Sequence, residues 1–117
     1  MNTTRHRLPN RRECIVEDMN CDGMAYTLST GINADGKIAE VFISTGKGGS
    51  EVSYILEDFA VVLSVALQFG VLAQELGASV GRLPRVGDAL TPRATLPASP
   101  LGQVLDRLAE IEKGETA

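Results

Sequence analysis

Two Asp-Gly pairs, Asp22-Gly23 and Asp35-Gly36, each separate a pair of strand-like segments and constrain the first half of the chain more than any other feature. Asp-Gly readily supplies the positive φ values that tight hairpin turns need. The flanking segments are "ECIVEDM" (13–19), "MAYTLSTG" (24–31) and "KIAEVFIS" (37–44). In the third, Ala39, Val41 and Ile43 alternate with Ile38 and Phe42, the period-2 pattern of a strand. Two such turns in succession predict a three-stranded antiparallel meander.

From Ser50 the period changes to that of a helix. Val52, Ile55, Leu56, Phe59, Val62, Leu63, Ala66 and Leu67 recur at steps of three and four. Ser50 suits the N-cap, where its hydroxyl accepts from a free N–H of the first turn, and Glu51 adds a favourable charge. A helix over 51–69 would run about 28 Å, enough to cross the sheet. Its segment from Phe59 to Leu67 is apolar almost all round, so the sheet on one side and a second cover on the other are both expected. Gly70 ends or bends this helix, and "VLAQELGASVGRL" (71–83) reads as a shorter one closed by Gly81 and Pro84. Four of the five prolines fall between 84 and 100, marking an extended connector. Ser99 and Pro100 then open a last helix, with Leu101, Val104, Leu105, Leu108 and Ile111 on one stripe.

A chain of 117 residues with 44% hydrophobic content fits one compact domain. Charge is uneven along it: Arg5, Arg7, Arg11 and Arg12 give residues 1–12 a charge of +4, while the remainder carries −8. Four arginines are a weak electrostatic footprint, and no groove-reading element accompanies them, so the sequence does not support a nucleic-acid role. Cys14 and Cys21 form neither a C-x-x-C pair nor a zinc-ligand set, and idle thiols are expected. The N-terminus lacks the apolar stretch of a secretory signal, and "FAVVLSVALQFGVLA" (59–73) falls short of a bilayer span. The expectation is a cytoplasmic protein without membrane contact.

"STGKGGSEV" (44–52) places Lys47 and three glycines before the long helix. The Walker A spacing is absent, because Gly48 follows Lys47 and Val41 stands five positions before Gly46. No G-x-G-x-x-G spacing occurs either. A structural turn explains the glycines, and an anion or nucleotide site at Lys47, Gly48, Gly49 and Ser50, helped by Arg11 and Arg12, is the alternative. His6 has no sequence-local acid or nucleophile, and the adjacent Glu57 and Asp58 point about 100° apart on their helix. The sequence offers no metal set and no constellation for independent catalysis.

Several segments, in order, resemble the TSCPD domain family: "RLPNRR" (7–12), "YTLSTG" (26–31), "DGKIAEVFIS" (35–44), "KGGS" (47–50) and "LQFGV" (67–71). Leu8-Pro9 with Arg12, Asp35-Gly36 leading into Glu40 to Ile43, and Lys47 to Ser50 match that family's recurring pattern. The resemblance covers about residues 5–80. It implies a relative of the C-terminal domain of adenosylcobalamin-dependent ribonucleotide reductase, a domain also found free-standing. The family's Thr-Ser-Cys-Pro-Asp motif is missing: the nearest stretch, "PASPLGQVLD" (97–106), has no cysteine. Thiol exchange or metal binding by that tail is therefore not expected. Nor can 117 residues contain the large barrel in which the reductases do their radical chemistry.

The expected architecture is α+β, a three-stranded antiparallel meander packed on a long central helix, followed by a short helix and a C-terminal helix. It divides into a basic arm (1–12), a TSCPD-like domain (13–83), a Pro-rich connector (84–100) and an amphipathic helix (101–113). The leading functional reading is an accessory module, not catalytic by itself, that binds a reductase large subunit or a nucleotide. Adenosylcobalamin enters only through the family association. An independent nucleotide or phosphate binder and a structural homo-oligomeric module are the alternatives. A homodimer formed around the 51–69 helix is expected, with Val62 or Leu63 facing the partner.

Overall fold

The computed structural model describes residues 13–46, 49–84 and 95–114. Strands β1 (Glu13–Cys21), β2 (Met24–Ile32) and β3 (Ile38–Thr45) form one antiparallel sheet in the order β1-β2-β3. The first turn holds Asp22 at φ 50° and Gly23 at φ 85°, both positive as a two-residue hairpin demands. Its closing pair is Cys21 with Met24. In the second turn Asn33 Oδ1 accepts from the N–H groups of Asp35 and Lys37, both at 3.0 Å, and Gly36 takes φ 79°. The three-stranded antiparallel meander is therefore present as expected.

Alternation along the strands sorts the sheet into two faces. Tyr26, Leu28, Thr30 and Ile32 of β2 and Val41 and Ile43 of β3 are buried on the inner face. On the outer face Val16, Ser29 and Phe42 stand in one cross-strand row, and Val16 and Phe42 are exposed. Helix α1 (Glu51–Gln68) lies along β3, burying Leu56, Ala60, Leu63 and Leu67 in the core. After the short helix α2 (Ala73–Ser79), Arg82–Pro84 and Thr95–Pro97 pair as strands β4 and β5. The Pro-rich connector is thus not wholly irregular, because its two ends form a small ribbon. Helix α3 (Pro100–Glu112) packs against α2, and its Val104, Leu105, Leu108 and Ile111 enter the same core as α1. The fold is α+β, with three helices following the sheet.

Long-range polar contacts fix the position of α3. Arg107 Nε donates to both carboxylate oxygens of Glu17 on β1, at 2.9 and 3.0 Å, and its Nη1 reaches Glu110 at 2.9 Å. Gln103 accepts from the Tyr26 hydroxyl at 2.6 Å and donates to the Asn20 carbonyl at 2.8 Å. At the other end, the Glu112 carboxylate accepts from the N–H groups of Ala73 (2.7 Å) and Gln74 (3.2 Å). It thereby caps α2, whose own N-cap residue, Leu72, makes no side-chain cap bond. Asp106 and Arg82 form a two-bond ion pair, 2.9 Å each, between α3 and β4.

The expected second cover of α1 does not come from the terminal helix. Leu105 and Leu108 of α3 point into the core beside α1 and do not lie over its outer side. That outer side carries exposed Tyr54, Ile55, Val61 and Val62. Leu63, by contrast, is buried within the protomer. Among the described residues, no helix is long and apolar enough to cross a membrane.

Candidate functional site

The junction between β3 and α1 is where the sequence offers an anion site as the alternative to a purely structural turn. Of its six candidate residues, Arg11, Arg12, Lys47 and Gly48 lie outside the described residues. Gly49 takes φ 84°, a conformation that L side chains rarely adopt, so at least this glycine is required by the turn itself. Ser50 is the N-cap of α1 in extended conformation (φ −82°, ψ 158°). Its Oγ accepts from Ser53 N at 3.1 Å, while the Ser53 hydroxyl donates back to the Ser50 carbonyl at 2.8 Å. One donor of the first turn is thus already satisfied by the chain, and Glu51 brings a carboxylate to the positive end of the helix dipole.

A cleft of about 470 Å³ opens beside this cap. Gly23, Met24 and Ala25 of the first hairpin line one side, and Thr45, Gly46, Ser50 and Val52 line the other. No charged side chain is among these seven residues. Among the described residues, the carboxylate of Glu51 stands next to Ser50, and an anion here would have to tolerate it. Steric geometry accounts for Gly49, and hydrogen bonding within the first turn accounts for Ser50.

The two cysteines lie on β1 at positions of opposite parity, so their side chains point to opposite faces of the sheet. Seven strand positions separate them by about 23 Å, far beyond the ~7 Å Cα separation that a disulfide tolerates. Cys14 is exposed and Cys21 is half-buried. Burial, and secondarily the neighbouring Asp22 carboxylate, push the Cys21 thiol up from its ordinary pKa, away from the nucleophilic thiolate. Among the described residues, no group of three or more His, Cys, Asp or Glu is placed to hold a metal ion.

Two residues that the sequence shows only as polar breaks in an apolar helix have a definite task. Ser64 Oγ accepts from Val41 N at 2.9 Å and lies 3.1 Å from the Val41 carbonyl oxygen. Gln68 Nε2 donates to the Ala39 carbonyl at 2.8 Å. Both bonds meet the backbone edge of β3 that faces away from β2, so α1 closes this edge of the sheet. Their spacing of four places them on one side of the helix, which is the only sequence signal that could have revealed the pair. The stretch "PASPLGQVLD" (97–106) turns out to be the capped start of α3. Ser99 Oγ accepts from Gly102 N at 3.2 Å, and Pro100 occupies the first turn.

Comparison with known proteins gives a consistent assignment. The family model for the TSCPD domain matches residues 3–114. Curated relatives include the vitamin B12-dependent ribonucleotide reductases of Agrobacterium fabrum (37% identical over 71 residues) and Rhodopirellula baltica (36% over 67 residues). That of Bradyrhizobium diazoefficiens is 32% identical over 71 residues. These alignments cover 61%, 57% and 61% of this chain and 6% of each relative, so the chain is similar to a small part of those proteins. No solved structure matches it.

Proposed function

The chain belongs to the TSCPD domain family, and from that membership we propose that it is a binding module, not catalytic by itself, that engages a vitamin B12-dependent ribonucleotide reductase. The scale of the match carries this reading. A family spanning residues 3–114 meets relatives in which only 6% of the length is shared, so the common part is a small packed unit. The polar side chains in that unit support a role through its surface. Glu17, Arg107, Arg82, Asp106 and Glu112 are engaged in tying strands and helices to one another. In this reading adenosylcobalamin is a cofactor of the partner reductase and is not held by this chain.

Titration calorimetry against a vitamin B12-dependent reductase from the same organism tests the proposal. Saturable binding at micromolar concentration is expected, and the purified chain should reduce no ribonucleotide when given adenosylcobalamin alone. Absence of binding, together with thermal stabilisation by nucleoside phosphates, would replace this reading with the nucleotide-binding one at Lys47, Gly48, Gly49 and Ser50.

A further inference from the structure

The outer side of α1 is a seam at helix spacing, apolar except for Asp58, that no described element covers. On a helical projection Ile55, Asp58, Val62 and Val65 follow one another at steps of three, four and three, with Tyr54 and Val61 beside them. Val61 is 63% exposed and Val62 68%, the highest values among the exposed large hydrophobic residues apart from Val16, which equals Val61. Phe42, exposed on β3, borders the same groove as Val61. The exposed parts of Phe42, Tyr54, Ile55, Val61 and Val62 amount to roughly 500–600 Å² per protomer, enough for the apolar centre of an interface to which each partner ordinarily contributes about 800 Å².

Charge decides what fits this seam and in which direction. Residues 48–81 contain no lysine or arginine, so the seam has no basic group to receive an acidic partner. Its acids are confined to the N-terminal half, at Glu51, Glu57 and Asp58, and the run from Phe59 to Gln74 is uncharged. A parallel pair of such helices would set Asp58 against its own counterpart. So would an antiparallel pair centred on Asp58. An antiparallel pair centred between Val62 and Val65 has neither fault. It sets each Val62 beside the other copy's Val65 and each Asp58 beside Phe69, with the two Asp58 positions ~16 Å apart along the axis. That separation exceeds the screening length of about 8–10 Å at ordinary salt.

We propose that two copies of this chain associate through α1, antiparallel and centred between Val62 and Val65, to form a symmetric dimer. The pair is isologous, so the same patch serves both protomers. The inference does not depend on the reductase reading and extends it, since the dimer would present two identical modules to any partner.

Sedimentation equilibrium at tens of micromolar, combined with cysteine cross-linking, tests it. In a Cys14→Ser/Cys21→Ser background, a mixture of Val62→Cys and Val65→Cys chains should form an inter-chain disulfide on oxidation, and Asp58→Cys alone should not. Val62→Asp should weaken association by at least about 100-fold, because it buries an unpaired carboxylate at the seam. Val62 is exposed in the protomer, so the variant should keep the wild-type circular dichroism spectrum. A folded wild-type protein that sediments as a monomer overturns the proposal, as does a dimer that survives Val62→Asp. Cross-linking through Asp58→Cys in preference to the mixed Val62→Cys and Val65→Cys pair overturns the register.

Discussion

Tyr26 is buried under α3, and its hydroxyl donates to Gln103 Oε1 at 2.6 Å. Burial first, and the neighbouring Cys21 second, raise its phenol from 10.0 to about 12. The neutral phenol is the form that the fold accepts, so its contribution to stability is complete below pH 10. Between pH 10 and about 12 the unfolded chain gives up the proton while the folded chain keeps it, and stability falls through that window. Urea unfolding followed across alkaline pH should show this loss in the wild type and lack it in Tyr26→Phe. At neutral pH the variant should be less stable by about 1 kcal/mol for the lost hydrogen bond. The sequence places Tyr26 in a strand but cannot reveal its partner, because Gln103 lies 77 residues away. The Asp-Gly turns are the opposite case. There local chemistry sets the backbone: Asp22 and Gly23 suffice for the first hairpin, and in the second Gly36 shares the task with the Asn33 side chain three positions before it.

At the scale of elements, α1 was legible in its start, its length and its apolar spacing, since Ser50 caps it and Gln68 ends it. Its relation to β3 was not, because side-chain caps on a strand edge leave no periodic signature. Ser64→Val and Gln68→Leu make the helix more apolar, which a pattern-based reading would favour. Each should nevertheless cost about 1 kcal/mol, because the Val41 N–H and the Ala39 carbonyl lose their side-chain partners beside a groove that water can enter. Chemical denaturation of the single variants measures this cost. The double variant should also self-associate on light scattering, since an uncapped strand edge is a template for pairing. The candidate anion site was legible only as a glycine-rich turn. Gly49 needs its positive φ whether or not a ligand visits, so residue type alone could not separate turn from site.

For the whole molecule, the resemblance to the TSCPD family visible in the sequence covers about residues 5–80, yet the core also requires α3. Leu108 is fully buried, and Leu108→Ala should cost about 2–5 kcal/mol, a large share of the ~5–15 kcal/mol typical of a domain. Thermal unfolding should show a broadened, lowered transition. The apolar stripe of α3 was visible in the sequence, but its docking site was not, because the connector conceals the direction of return. That return also bears on the order of events during synthesis. The bonds that fasten α3 to the sheet join residues 77, 83 and 90 positions apart. When the sheet and α1 leave the ribosome, the inner face beside β1 and β2 still lacks its lid, and the start of α2 lacks the carboxylate of Glu112. Non-local closure of this kind slows folding, because chain entropy must be given up before the contacts form. The nascent chain therefore presents an open apolar sheet face for as long as α3 is untranslated, which makes it a substrate for chaperones during that interval and not afterwards.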